Sequence, residues 1–127
     1  MSQDEDRIAM LRRLYEAFNR RDIDAVLPML TEDIDWPNMM ERTRAVGHDE
    51  VRAYWEYQFT QVSPNVEPVA FEIDEDRVLV AVHQVIRALD GSIRSNTHIA
   101  HAYAFDGPLI ASMHVYANMD DAWAGED

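Results

Sequence analysis

The histidine most exposed to a chemical reading lies in Thr97-His98-Ile99-Ala100-His101-Ala102-Tyr103-Ala104-Phe105. In a strand, residues two apart share a face. Thr97, Ile99, His101, Tyr103 and Phe105 then form one side, and His98, Ala100, Ala102 and Ala104 the other. The first set is larger and is assigned to the interior. The alanine-lined set suits a flat contact with solvent or with a second subunit. A histidine among apolar and aromatic neighbours is a candidate general base or proton donor near neutral pH. The competing reading is a core histidine satisfied by one neighbour. His98 and His101 point apart and cannot chelate one metal. No other histidine–carboxylate spacing resembles a metal site, so no metal and no cofactor are expected.

Five other positions join His101 as candidates. Trp36 and Asn38 are two apart where a short strand meets a loop, an aromatic wall with an amide beside it; a core tryptophan and a turn asparagine would give the same pattern. Gln84 is in phase with Val78, Val80, Val82 and Ile86, a polar group on an apolar face that needs a partner. Met113 lines the candidate pocket or fills the core, and Met39 and Met40 form an adaptable lip or ordinary packing. Tyr54 adds a further wall from a helix. His83, Arg87, His114 and Tyr116 fall on outer phases and read as interface residues. No nucleophile motif, phosphate loop or dinucleotide fingerprint is present.

These residues need elements to hold them. Ile8, Leu11, Leu14, Tyr15 and Phe18 recur at helical spacing over Asp6 to Arg20. Asp22 is the expected N-cap of a short second helix, and Pro28 predicts a distorted last turn. Ile34-Asp35-Trp36 reads as a short strand ending at Pro37, and Asn38 to Gly47 as a loop. A third helix is expected from about Asp49 to Gln61, ended by Ser63-Pro64-Asn65. Beyond it, Val69, Phe71 and Ile73 alternate before an acidic turn. Arg77 to Leu89, Ser92 to Phe105 and Leu109 to Ala117 then form a meander with Asp90-Gly91 and Asp106-Gly107 at its turns. The tail from about Asn118 is acidic and expected to be loose, with Trp123 able to dock on the body. Segregated helices and strands predict one α+β domain over 1–127 with an antiparallel sheet.

The 127 residues suit one domain with a real core, and 47% hydrophobic against 28% charged is an ordinary globular mixture. With 24 acidic and 11 basic residues the formal charge is -13. That balance disfavours nucleic acid and membrane surfaces as partners. The absence of cysteine excludes disulfides and thiolate chemistry. Neither a secretory signal nor an apolar run of membrane-spanning length is evident, so the expected compartment is the cytoplasm.

The stretch from Leu14 to Asp22, with Leu30-Thr31-Glu32-Asp33-Ile34-Asp35-Trp36, resembles the opening of SnoaL-like proteins of the nuclear transport factor 2-like superfamily. Gly47 to Trp55 is similar to that family's glycine-led third helix, and Tyr103 to Ile110 to its final hairpin. The resemblance spans nearly the whole chain. It implies a cone of three N-terminal helices on a curved, mostly antiparallel sheet, with a deep pocket and pairing through the outer sheet face. Relatives include ketosteroid isomerase, limonene epoxide hydrolase and polyketide cyclases. The isomerase's tyrosine and two aspartates fall on Leu14, His101 and Asn38. The hydrolase's tyrosine and asparagine fall on Trp36 and Asn38, and its arginine and two aspartates on Val82, Gln84 and Val115. Neither charged set is retained, so the scaffold implies neither activity as such.

The reading that follows is an apolar pocket for a hydrophobic small molecule in a homodimer. In an enzyme, His101 would be base or proton donor, Asn38 and Gln84 would orient substrate or water, and Trp36, Tyr54 and Met113 would be walls. The alternative is a non-catalytic ligand-binding or dimerisation module.

Overall fold

A computed structural model describes residues 3–125. Met1 and Ser2 of the acidic N-terminal segment, and Glu126 and Asp127 of the acidic tail, lie outside the described residues. The helical stripe forms α1 (Gln3–Asn19), which buries Leu11, Leu14, Tyr15 and Ala17. Asp22 caps α2 (Ile23–Val26) by accepting from the Ala25 N–H, and Pro28 turns the chain into a 3₁₀ turn over Leu27–Met29. That is the distorted ending its ring requires.

The remaining elements are β1 (Leu30–Asn38), β2 (Thr43–Val46), α3 (His48–Gln61), β3 (Ser63–Asp74), β4 (Arg77–Arg87), β5 (Ile93–Asp106), β6 (Leu109–Tyr116) and α4 (Met119–Ala124). Together the strands make one sheet in the order β2-β1-β6-β5-β4-β3. All pairings are antiparallel except β1 with β6, which is parallel. The fold is therefore α+β with a curved mixed sheet and α1 and α3 on its inner face. Gly91 and Gly107 take positive φ at the two Asp-Gly turns.

Four local expectations need correction. The stretch Asn38 to Gly47 is not all loop, because β2 folds back on β1 with Asp35 opposite Val46. Its Arg44 anchors the hairpin, donating to Asp35 Oδ1 and to the Met113 carbonyl across the sheet. Ser63-Pro64-Asn65 opens β3 rather than merely ending a helix, since β3 runs along β4 to Arg87. Val69 is exposed because it is the extra residue where the register shifts between Pro68 and Ala70. The C-terminal tail contains α4, capped by Asn118 and ended by Gly125 in the left-handed region. Ala122 of α4 is buried on Leu79, Ala100, Ala102 and Tyr116, so this helix covers part of the alanine-lined face.

Side-chain ties hold α1 over the sheet. Asn19 exchanges two hydrogen bonds with the Val66 backbone, at 2.8 and 3.0 Å. Arg7 stacks over Phe105 and donates to the Gly107 carbonyl. None of the described helices is long and apolar enough to cross a membrane.

Candidate functional site

Alternation puts Tyr103, His101 and Ile99 of β5 on the inner face, under α1 and α3. A cavity of about 220 Å³ lies there. From above, α1 contributes Leu14, Tyr15 and Phe18, while α3 contributes Tyr54, Trp55 and Gln58. The lining contains no aspartate, glutamate, lysine or arginine. For scale, a dry cavity of about 150 Å³ holds benzene, whereas drug-sized ligands occupy roughly 300–1,000 Å³. The space suits a body of one or two rings.

His101 sits at the buried end, 5% exposed. Tyr15 stacks on it with ring centroids 5.9 Å apart, and Tyr103 meets it edge-on at 6.1 Å. The three polar groups form a chain. Tyr103 donates to the Tyr15 oxygen at 2.9 Å, and Tyr15 Oη lies 2.8 Å from His101 Nδ1. Tyr103 Oη is also 3.5 Å from Nδ1, too long to compete. With the Tyr15 oxygen already accepting, its own proton is satisfied by Nδ1 acting as acceptor. A neutral imidazole then carries its proton on Nε2. His101 lines the cavity, and Nε2 is the ring nitrogen not engaged by Tyr15.

Burial lowers the His101 pKa to about 4, so the ring is neutral at physiological pH. Burial likewise pushes the Tyr15 and Tyr103 phenols well above their ordinary value. Tyr54 is raised by burial too, partly offset by hydrogen bonds from the Met39 N–H and with Gln58. The deep end is thus an uncharged donor, Nε2–H, backed by two uncharged phenols. Such a group polarises an oxygen, and with its pKa so low it is a poor base.

A family model described as SnoaL-like domain matches residues 11–113. The chain belongs to the SnoaL-like domain family. Similar solved structures agree on the fold. An NTF2-like protein of unknown function from Burkholderia pseudomallei has a TM-score of 0.79 at 24% identity, over 96% of this chain and 95% of that one. A putative polyketide cyclase from Xanthomonas campestris pv. campestris has 0.75 at 20%, over 97% and 98%. An LEH-like epoxide hydrolase from M. tuberculosis has 0.75 at 17%, over 95% and 89%. No curated protein gives a significant match.

In this SnoaL-like domain, His101, Trp36, Tyr54, Gln84 and Met113 all line the one cavity. Asn38 does not. Its Oδ1 accepts from the Met40 and Glu41 N–H groups and closes the β1–β2 turn, the asparagine's alternative role. Gln84 is on the inner face, with Val66 and Thr97 as its cross-strand partners. Val80 is the partner of His101, so Gln84 stands four residues further along β4. At strand rise this is about 13 Å from the His101 level, toward the open end.

Sequence reasoning missed Tyr15, Tyr103 and Gln58. The family comparison drew attention to Leu14, which does line the cavity, but the adjacent Tyr15 carries the hydroxyl that meets His101. The signal was a tyrosine within a buried stripe, whose O–H requires a partner. Tyr103 was in phase with His101 two residues away, and Gln58 is one helical step of four from Tyr54. Among the described residues, no group of three or more histidine or acidic side chains is placed to hold a metal ion.

Proposed function

We propose that this SnoaL-like domain receives a small hydrophobic molecule in the inner cavity and presents His101 Nε2–H to an oxygen of that molecule. The observation that carries the reading is the hydrogen-bonded chain Tyr103–Tyr15–His101 ending at an apolar, uncharged space. The chemistry it supports is cofactor-free turnover of the isomerase, hydrolase or cyclase kind, in which a donor stabilises developing negative charge on oxygen. Trp36, Tyr54 and Met113 are walls, Gln84 orients the outer end of the substrate, and His101 is a hydrogen-bond donor rather than a base.

A non-catalytic binding module is the second reading. It is favoured by one observation: no carboxylate lines the cavity, and His101 is held far below the basicity a proton abstraction at neutral pH calls for. Turnover and affinity separate the two in a Tyr15→Phe and a His101→Phe variant, screened against one- and two-ring ketones and epoxides. An enzyme loses its rate by about a hundredfold or more in His101→Phe, within the range for loss of one oxyanion donor. A binding module gives no product in any variant and loses affinity only. Unchanged rate and affinity in both variants would remove the chain from the function.

A homodimer formed through the part of the outer sheet face that α4 leaves open, and a cytoplasmic setting, belong to the same proposal. The charge of -13 supports small-molecule over nucleic-acid or membrane-surface partners. Sedimentation giving a monomer at working concentration would count against the dimer.

A further inference from the structure

The inner cavity shares Tyr54 with a second hollow of about 250 Å³, a groove between the β1–β2 hairpin and α3. The two spaces differ in chemistry. The groove is lined by the carboxylates Glu41 and Glu50 and by Tyr57, whose side chain is 51% exposed. Glu50 is held in place, because its Oε1 accepts from the Val46 N–H at 2.9 Å. Arg44 also lines the groove, but its charge is spent. Its Nε lies 2.7 Å from Asp35 Oδ1, and its Nη2 donates to the carbonyls of Asp35 and Met113. At the rim, Met39 lines the cavity while 58% exposed, and its N–H donates to Tyr54 Oη at 3.2 Å. Trp36 and Asn38, paired by sequence, stand on the two sides of this partition, one in the cavity and one in the groove.

We propose that cavity and groove together take one amphipathic ligand, with an uncharged ring body inside and a cationic amine tail laid past Met39 and Tyr54 against Glu41, Glu50 and Tyr57. The proposal rests on the reading of the cavity as a small-molecule pocket and adds the ligand's class. The cavity offers a cation no carboxylate to offset its lost hydration. In the groove the same cation meets two carboxylates and an exposed phenol ring able to make a cation–π contact. The cavity is too small for more than the ring body, so a larger substrate must place its remainder outside.

The test is calorimetric titration of the intact chain with three probes: phenylbutyl-trimethylammonium, its neutral isostere with carbon in place of nitrogen, and phenylpentanoate. The ammonium compound is expected to bind about tenfold tighter than the isostere, as one cation–π contact and two partly exposed charge contacts allow. Phenylpentanoate is expected to bind more weakly than either. The advantage should shrink as salt rises and vanish in Glu41→Gln/Glu50→Gln, with affinity for the isostere unchanged. Glutamine at position 50 keeps an oxygen for the Val46 N–H, and an unaltered unfolding midpoint would verify that the hairpin stands. An ammonium probe no tighter than the isostere, or an advantage that survives in the double variant, overturns the two-compartment ligand while leaving the cavity reading intact. An isostere that does not bind at all overturns the cavity reading, and this proposal with it.

Discussion

Strand β5 carries two histidines three residues apart, and they live in different chemical worlds. His101 is buried under α1, stacked on Tyr15, and depressed to a pKa of about 4 by burial. His98 is exposed on the other side of the sheet, where its ring stacks on that of His83 at 4.7 Å and 16°. There His83 Nε2 lies 2.6 Å from Asn96 Oδ1, a hydrogen bond made in contact with water. Strand parity decides which histidine meets which layer, and the layer decides the chemistry. The inner layer is a continuous aromatic and aliphatic cluster from α1 and α3. The outer layer among the described residues is a short helix, α4, resting on small side chains at one end.

The contrast is sharpest at the largest side chain of the inner layer. Trp55 is 1% exposed and packs edge-on against Trp36 at 5.3 Å and Phe18 at 5.6 Å. Trp55→Ala is expected to cost about 3–5 kcal/mol in chemical denaturation, the range for emptying a buried aromatic site. A cost near 1 kcal/mol would mean that the inner layer is as loosely held as the outer one, and the distinction would fail.

The pH dependence of stability probes His101 directly. Its folded pKa is lowered from 6.5 to about 4, so the unfolded chain binds its proton first as pH falls. The stabilising contribution is present in full above about 6.5 and is lost as pH falls toward 4, on the order of 3 kcal/mol in all. Denaturation of the natural chain and of His101→Gln at several pH values isolates this component as the difference between their slopes. Parallel slopes between pH 4 and 6.5 would show His101 reached by solvent, and the inner face would lose its defining property.

The parts of this picture that were legible in the sequence are those governed by a fixed period. Helical spacing locates α1 and α3, and alternation puts His101 and Gln84 on the inner faces of their strands. Tertiary effects were harder to see. β2 is four residues with no apolar run, and it exists because Arg44 ties it to Asp35 and to the carbonyl of Met113 on β6. α4 was hidden by an acidic composition typical of solvated tails. It forms because Asn118 caps it and Ala122 finds a buried seat on the alanine face. The bulge at Val69 shifts the alternation of β3 by one, which no count of apolar residues along that strand reveals. The hydroxyl chain from Tyr103 through Tyr15 spans 88 residues, so its members were readable singly and not as a unit.

The smallest expected effect lies on the outer face. Trp123 of α4 is 41% exposed, and its indole N–H donates to Glu72 Oε1 at 2.6 Å. A solvent-reached hydrogen bond and a half-covered ring are worth little, so Trp123→Ala is expected to cost about 1 kcal/mol or less. Ala122 would keep its place, since Arg77 donates to the Ala122 carbonyl independently of the indole. The more informative readout is the inner cavity. Ligand affinity there should be unchanged in Trp123→Ala, because α4 packs on the outer cluster of Leu79, Ala100, Ala102 and Tyr116, across the sheet from the cavity. A several-fold change in affinity would mean that the sheet transmits the docking of α4 to His101, and that the two faces act as one cooperative unit rather than as two layers with separate chemistry.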